Sequence, residues 1–292
     1  MPWQSQPPFP AASLTPPSFA VPDLACDTHA HVFGPPQRYP AVTEARYTHP
    51  PKSETGDYAG VLRRLGVRRA VLVQPSYYRF DNRCMLDALD ADPVNLRGVA
   101  MIDPAGALPD LDDWHRRGVR GLRMDLFLAQ AQGRSADEMF TALEEMAGIA
   151  AARGWSVDLY CPGRAAHALA GRLGRLPVPI SIAHMGYLHP GTDEEALFPE
   201  FVAALSRAPN VRVKLTGSYR LAPAAAQSGV DRMAKALVAA LPDRVLWGSD
   251  WPHVLADPVD TGALLARLAG WCPDEQVRRR LLADLPAELY WS

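Results

Sequence analysis

The feature that most restricts how this 292-residue chain can fold is an alternation repeated along nearly its whole length. Eight short runs of apolar or β-branched residues, at 24–28, 69–74, 96–102, 119–125, 156–160, 180–184, 211–215 and 245–249, alternate with stretches of helical periodicity. The helical stretches are 57–65, 83–91, 108–117, 136–152, 164–173, 198–207 and 229–241, with 260–269 and 275–283 after the last run. Run centres such as Val71-Leu72-Val73 and Val211-Arg212-Val213 have the composition of strands in a largely buried parallel sheet. Several helical stretches end on glycine, as in Leu65-Gly66-Val67 and Arg117-Gly118-Val119, where a left-handed residue can close the helix and release the chain into the next strand. Strand, helix and strand in succession are βαβ units, whose strands pair in parallel. No early Gly-x-Gly-x-x-Gly marks an open dinucleotide-binding sheet, so the pattern predicts the α/β class and a (β/α)8 TIM barrel.

Residues 24–292 supply that barrel as one domain, preceded by a proline-rich leader over 1–23 that is either disordered or lies along the surface. The segment 32–57, rich in proline and aromatics, is expected to loop over the barrel mouth. Hydrophobic residues make up 48% of the chain, enough for a large core, and the net charge of −2 gives no overall pull toward nucleic acid or an anionic membrane. An anionic ligand must therefore be drawn by a local group of arginines. No apolar run reaches the length of a membrane span, and the N-terminus lacks the charged-then-apolar pattern of a secretory signal. Cys26, Cys84, Cys161 and Cys272 are scattered without a Cys-x-x-Cys, so neither a zinc knuckle nor a disulfide framework is indicated, and a reducing cytoplasm is expected.

In such a barrel, residues at the C-terminal ends of the strands meet on one face, where the chemistry is done. The first strand brings His29 and His31, two residues apart and so on one side of a strand. Two imidazoles there can bind one divalent ion or polarise one substrate oxygen; the plainer alternative is a pair in a polar turn. Further round come Ser76, Asp103, Arg123 with Asp125, Tyr160 with Cys161, and His184. The last two strands bring Ser218-Tyr219-Arg220 and the run Gly248-Ser249-Asp250-Trp251-Pro252-His253. Other residues read as structural. Lys214 invites a Schiff-base role but is expected to form a salt bridge at the barrel rim. Cys161 reads as a packed thiol, and Ser76 lacks the Gly-x-Ser-x-Gly elbow of a serine hydrolase. His49, His115, His167 and His189 read as surface residues, and His253 as a support for Asp250 or a turn cap.

Asp27-x-His29-x-His31, the lone His184 and Trp247-Gly248-Ser249-Asp250-Trp251-Pro252 resemble the amidohydrolase superfamily. His31-Val32-Phe33-Gly34-Pro35, Val73-Gln74-Pro75-Ser76 and Asp81-Asn82 followed by Met85-Leu86-Asp87-Ala88-Leu89 are similar to its 2-pyrone-4,6-dicarboxylate lactonase group. The resemblance implies a hydrolase that opens a small anionic carboxylated lactone. His29, His31 and His184 would surround the scissile carbonyl, and Asp250 would take the proton of the attacking water. Arg123 and Arg220 would grip substrate carboxylates, and Ser76, Tyr47 and Tyr160 would add hydroxyl contacts. Arg123 stands where two-metal members of the superfamily carry a bridging lysine, which argues against a dinuclear centre. The resemblance implies that no metal is required; alternatively, His29, His31, His184 and Asp250 could hold one Zn2+ or Mn2+. Where the dicarboxylate lactonases are expected to carry a further basic residue after the fourth strand, this chain has Leu128-Ala129-Gln130, so the reaction is better indicated than the substrate. A metal-dependent non-oxidative decarboxylase, a sugar lactonase and a pocket that binds without catalysis are the competing readings. Nucleic-acid and membrane partners are not expected, and a homo-oligomer is left open.

Overall fold

Eight parallel strands pair in chain order in the computed structural model, which describes residues 9–42, 50 and 53–292. They are β1 (Cys26–Ala30), β2 (Arg69–Val73), β3 (Leu96–Ala100), β4 (Val119–Asp125), β5 (Ser156–Tyr160), β6 (Ile180–Ile182), β7 (Val211–Leu215) and β8 (Val245–Trp247). Helices such as Thr55–Leu65, Arg83–Ala91, Ala136–Ala151, Phe198–Ser206 and Gln227–Ala240 link them outside the sheet. The eighth strand returns to the first. Thr28 Oγ1 donates to Trp247 O at 2.7 Å, the Asp250 amide to His29 O at 2.8 Å, and the His31 amide to Trp251 O at 2.7 Å. These bonds complete the expected (β/α)8 TIM barrel.

The boundaries differ where the site lies. β1 starts later than the pattern predicts and includes His29, with a register shift against β2 between Asp27 and Ala30. β6 and β8 stop short of His184 and Asp250, whose backbones turn left-handed, with φ of 52° and 63°. A non-glycine residue in that region carries strain, commonly found where a side chain must be aimed at a functional site. A short helix, Phe127–Ala131, follows β4 and has too few residues to show a period in the sequence.

The barrel interior is polar at its centre. Lys214 and Asp158, both fully buried, form an ion pair there, and Lys214 Nζ also donates to Thr28 O at 2.9 Å. Lys214 therefore makes the expected salt bridge inside the barrel and not at its rim. Burial alone would lower the Lys214 pKa, but the Asp158 carboxylate and Tyr290 together more than offset this and keep the amine charged. The last helix, Leu285–Tyr290, packs Tyr290 against Cys26, Val71, Val73 and Val99. The described part of the leader lies on the barrel: Leu14 is buried, and Thr15 Oγ1 donates to Asp260 Oδ2 at 2.7 Å. Among the described residues no helix is long and apolar enough to cross a membrane.

Gly248 sits where β8 closes on β1. A Cβ there would lie 2.7 Å from both His29 Cβ and Thr216 Cγ2, and 2.8 Å from the His29 amide nitrogen. Gly248→Ala should therefore cost about 1–3 kcal/mol in urea unfolding, the usual penalty for overpacking. An unchanged midpoint would mean that the seam has room to give.

Candidate active site

The side chains that meet at the barrel mouth are placed by backbone first. β1 brings His29 and the adjoining His31 to one side, with ring centroids 5.0 Å apart. Asp27, the first residue of the same motif, serves another purpose. Its Oδ1 accepts the amides of His29 and Ser249 at 3.1 and 2.8 Å, and its Oδ2 accepts the Tyr58 hydroxyl at 2.7 Å. It brackets β1 to the turn after β8. Burial raises the Asp27 pKa even against these donors.

Asp250 is buried and faces the imidazoles with Oδ1, which lies 3.4 Å from His31 Nε2 and 3.8 Å from His29 Nε2. Its other oxygen accepts from Tyr219 Oη and Arg220 Nε, each at 2.6 Å. Burial by itself would raise the Asp250 pKa, yet the Arg220 guanidinium together with His184, His31 and His29 outweighs it and holds the carboxyl well below the usual carboxylate range. Arg220 also donates through Nη2 to Val254 O at 2.9 Å, so much of its fork is engaged before any substrate arrives. The sequence pattern placed Tyr219 at a strand end without giving it a role; its position beside Arg220 was the available signal. His253 packs its ring on Tyr219, 5.3 Å between centroids, and pairs Nε2 with Thr261 Oγ1 at 2.9 Å.

His184 projects from the loop after β6. Its amide donates to Thr216 Oγ1 at 3.0 Å, and its Nδ1 lies 2.9 Å from the same oxygen. The ring is 5.1 Å from that of His29. Burial pushes the His184 pKa down to about 4, helped by Arg220 and Arg123 against the pull of Asp250. His29 is driven well below its ordinary value by burial and then by the Lys214 ammonium beneath it. Both imidazoles are neutral at pH 7.

A cleft of about 440 Å³ opens above these groups, bordered by Ser76, Arg123, Tyr160, His184, Arg220 and Asp250. Arg123 is buried, donates through Nη1 to Gln74 O at 2.8 Å, and stacks its guanidinium 4.6 Å over the Tyr160 ring. No carboxylate among the described residues pairs with it. Tyr47 lies outside the described residues, as does His49. His115, His167 and His189 are partly buried and do not border the cleft; Trp155 Nε1 donates to His115 Nδ1 at 2.9 Å. The Cys161 thiol is buried, and burial raises its pKa.

Three of the four expected metal ligands converge. His29, His31 and Asp250 offer donor atoms all within 4.8 Å of one another, whereas His184 is not part of the group and has Nδ1 turned to Thr216. The donors fit a single small divalent ion on two observations. His31 Nδ1 lies 2.7 Å from Val73 O, an acceptor only, so that nitrogen carries a hydrogen and Nε2 is the ring atom turned to the Asp250 carboxylate. Both ring nitrogens of His29 are buried without a hydrogen-bond partner. His31 Nε2 and Asp250 Oδ1, 3.4 Å apart beside an unsatisfied imidazole, are spaced to share one small cation, a divalent ion or a proton.

The amidohydrolase family model matches residues 26–291, and the chain belongs to that family. The 4-sulfomuconolactone hydrolase of Hydrogenophaga intermedia is 34% identical, over 96% of this chain and 93% of its own length. A Comamonas testosteroni protein named as a 2-pyrone-4,6-dicarboxylate hydrolase is 33% identical, over 96% and 94%. An apo crystal structure from Agrobacterium tumefaciens superposes with a TM-score of 0.79 at 25% identity, covering 94% of this chain and 98% of that one.

The neutral, buried imidazoles predict an acid-sensitive fold. His184 and His253 both have pKa values near 4 in the fold, against 6.5 when exposed. Between those values the unfolded chain binds more protons, so stability is complete above about pH 6.5 and falls as the pH drops toward 4. Thermal unfolding across this range should show a falling midpoint; a flat profile would show that these rings take up protons as readily in the fold as in the unfolded chain.

Proposed function

We propose that the chain hydrolyses a carboxylated lactone at this cleft, with Asp250 Oδ1 as general base and the three imidazoles around the scissile carbonyl. The observation that carries the reading is the division of labour on Asp250. Tyr219 and Arg220 hold Oδ2, while Oδ1 faces His29 and His31 beside a cleft edged by Arg123. A lactone whose carboxylate rests on Arg123 places its carbonyl over that oxygen. Water adds to the carbonyl carbon, and its proton passes to Asp250 Oδ1. The acyl–oxygen bond of the ring then breaks, and the same proton goes to the departing ring oxygen, leaving a ring-opened acid. Ser76 and Tyr160 line the carboxylate end. The relatives named as lactone hydrolases at 33–34% identity support the same reaction class.

Arg220 makes Asp250 a weak base, able to deprotonate only a water or adduct that is already acidified. A divalent ion held by His29, His31 and Asp250 would supply that acidity and polarise the carbonyl. A non-catalytic pocket for anions has no use for an inward carboxylate, so Asp250 favours catalysis over binding alone. The four cysteines are free thiols, in keeping with a reducing cytoplasm.

On a panel of carboxylated lactones, Asp250→Asn should lower kcat by about 10²–10⁴-fold, the usual range for a general base, with ligand affinity largely kept. A fully active Asp250→Asn would remove Asp250 from the mechanism. Calorimetric titration of chelator-treated protein with Zn2+ or Mn2+ should show one ion per chain, and His29→Ala should abolish it. If no ion binds, the cation between His31 and Asp250 is a proton.

A further inference from the structure

A second, larger hollow of about 1210 Å³ lies beside the reaction cleft, and Ser76 and Arg123 border both. Its walls are apolar side chains from several elements: Met101 and Ile102 after β3, Met124 on β4, Phe127 and Leu128 on the short helix Phe127–Ala131, and Met146. Leu128 is 46% exposed, and Phe80 on the same hollow 43%, so large apolar groups face solvent next to a site built for a ligand. Arg79 and Asp125 bring one charge of each sign to its edge. Among the described residues the reaction cleft has two guanidinium groups; Arg220 is engaged with Asp250, leaving Arg123 to receive one carboxylate.

We infer that this groove binds an alkyl or aryl group of the substrate, and that the enzyme's substrate is a lactone with one carboxylate and an apolar appendage. The inference rests on the lactonase reading for the reaction, but the groove itself can be tested without any turnover. A carboxylate on Arg123 sits at the junction of the two spaces, so a chain attached to it can run along Met124 and Leu128 away from Asp250. Each methylene buried there tightens binding, whereas a second anionic group in its place meets apolar walls, with Arg79 and Asp125 only at the edge.

The test is calorimetry with straight-chain alkanoates from butanoate to octanoate, which no hydrolase of esters can turn over. Dissociation constants should fall about two- to fourfold per added methylene. Leu128→Asp, which puts an anion on the groove wall, and Ala131→Trp, which fills it from an exposed position, should flatten the series. Arg123→Met should weaken every member alike. A flat series with the unaltered protein overturns the inference, whether another part of this chain or a second copy then occupies the groove. Failure of the lactonase reading looks different: the series stays steep while no carboxylated lactone is opened.

Discussion

Two backbone hydrogen bonds between β1 and the turn after β8 hold both the barrel and its chemistry. The Asp250 amide donates to His29 O and the His31 amide to Trp251 O. The side chains that must meet are attached to the residues that close the cylinder. Their spacing is thus set by peptide geometry, which varies little, and not by the rotamers of long side chains. Asp27 reinforces the arrangement by accepting the amides of His29 and Ser249, one from each side of the seam. Gly248 lets the two backbones approach. Separate β1 from β8 and the imidazoles leave the carboxylate.

On this frame the fixed charges are arranged so that nearly all cancel. Lys214 is neutralised by Asp158 in the interior, and Asp250 by Arg220 at the mouth. Arg123 is the cation left over in the cleft. A buried guanidinium with no carboxylate partner among the described residues is costly until an anion arrives, so the affinity for a carboxylate is built in as unsatisfied electrostatics. The overall charge of −2 conceals this. Lys214 has a further effect at a distance, since its ammonium beneath His29 disfavours a second positive charge and helps keep that imidazole available as a neutral donor atom.

The periodic part of this design could be read from the chain, because a buried strand and an amphipathic helix leave different spacings of apolar residues. β4, β5 and β7 fall where the pattern puts them. The collection of His29, His31, His184, Arg123 and Asp250 was legible because barrel topology sends every strand end to one face. What escaped was whatever depends on a direction chosen by a single dihedral. β6 and β8 end early because His184 and Asp250 turn left-handed, and no local composition announces that in a residue other than glycine. His184 pairs its Nδ1 with Thr216 Oγ1 and stays outside the close donor group of His29, His31 and Asp250, with its ring still 5.1 Å from that of His29. Tyr219 could not be told from an ordinary strand-end aromatic, nor could Lys214 be placed inside the barrel, since burial of a lysine depends on Asp158, 56 residues away.

The stretch after β4 shows why the reaction could be read more readily than the substrate. Water activation needs particular residue types at particular strand ends, so it leaves a pattern in the letters. Substrate shape is set by what surrounds that machinery. Here the surround is a helix of five residues, Phe127–Ala131, which turns Leu128 outward over a hollow shared with Arg123. In the sequence Leu128-Ala129-Gln130 registers only as the lack of an expected base. In the fold Leu128 of that stretch becomes exposed apolar surface on a hollow that Arg123 also borders. A missing charge alone weakens binding of a dianion, whereas a missing charge replaced by an apolar wall also creates a preference for something else. The preference comes from the hydrophobic effect, which grows with the area the ligand can bury, while the single ionic contact at Arg123 stays constant across such ligands.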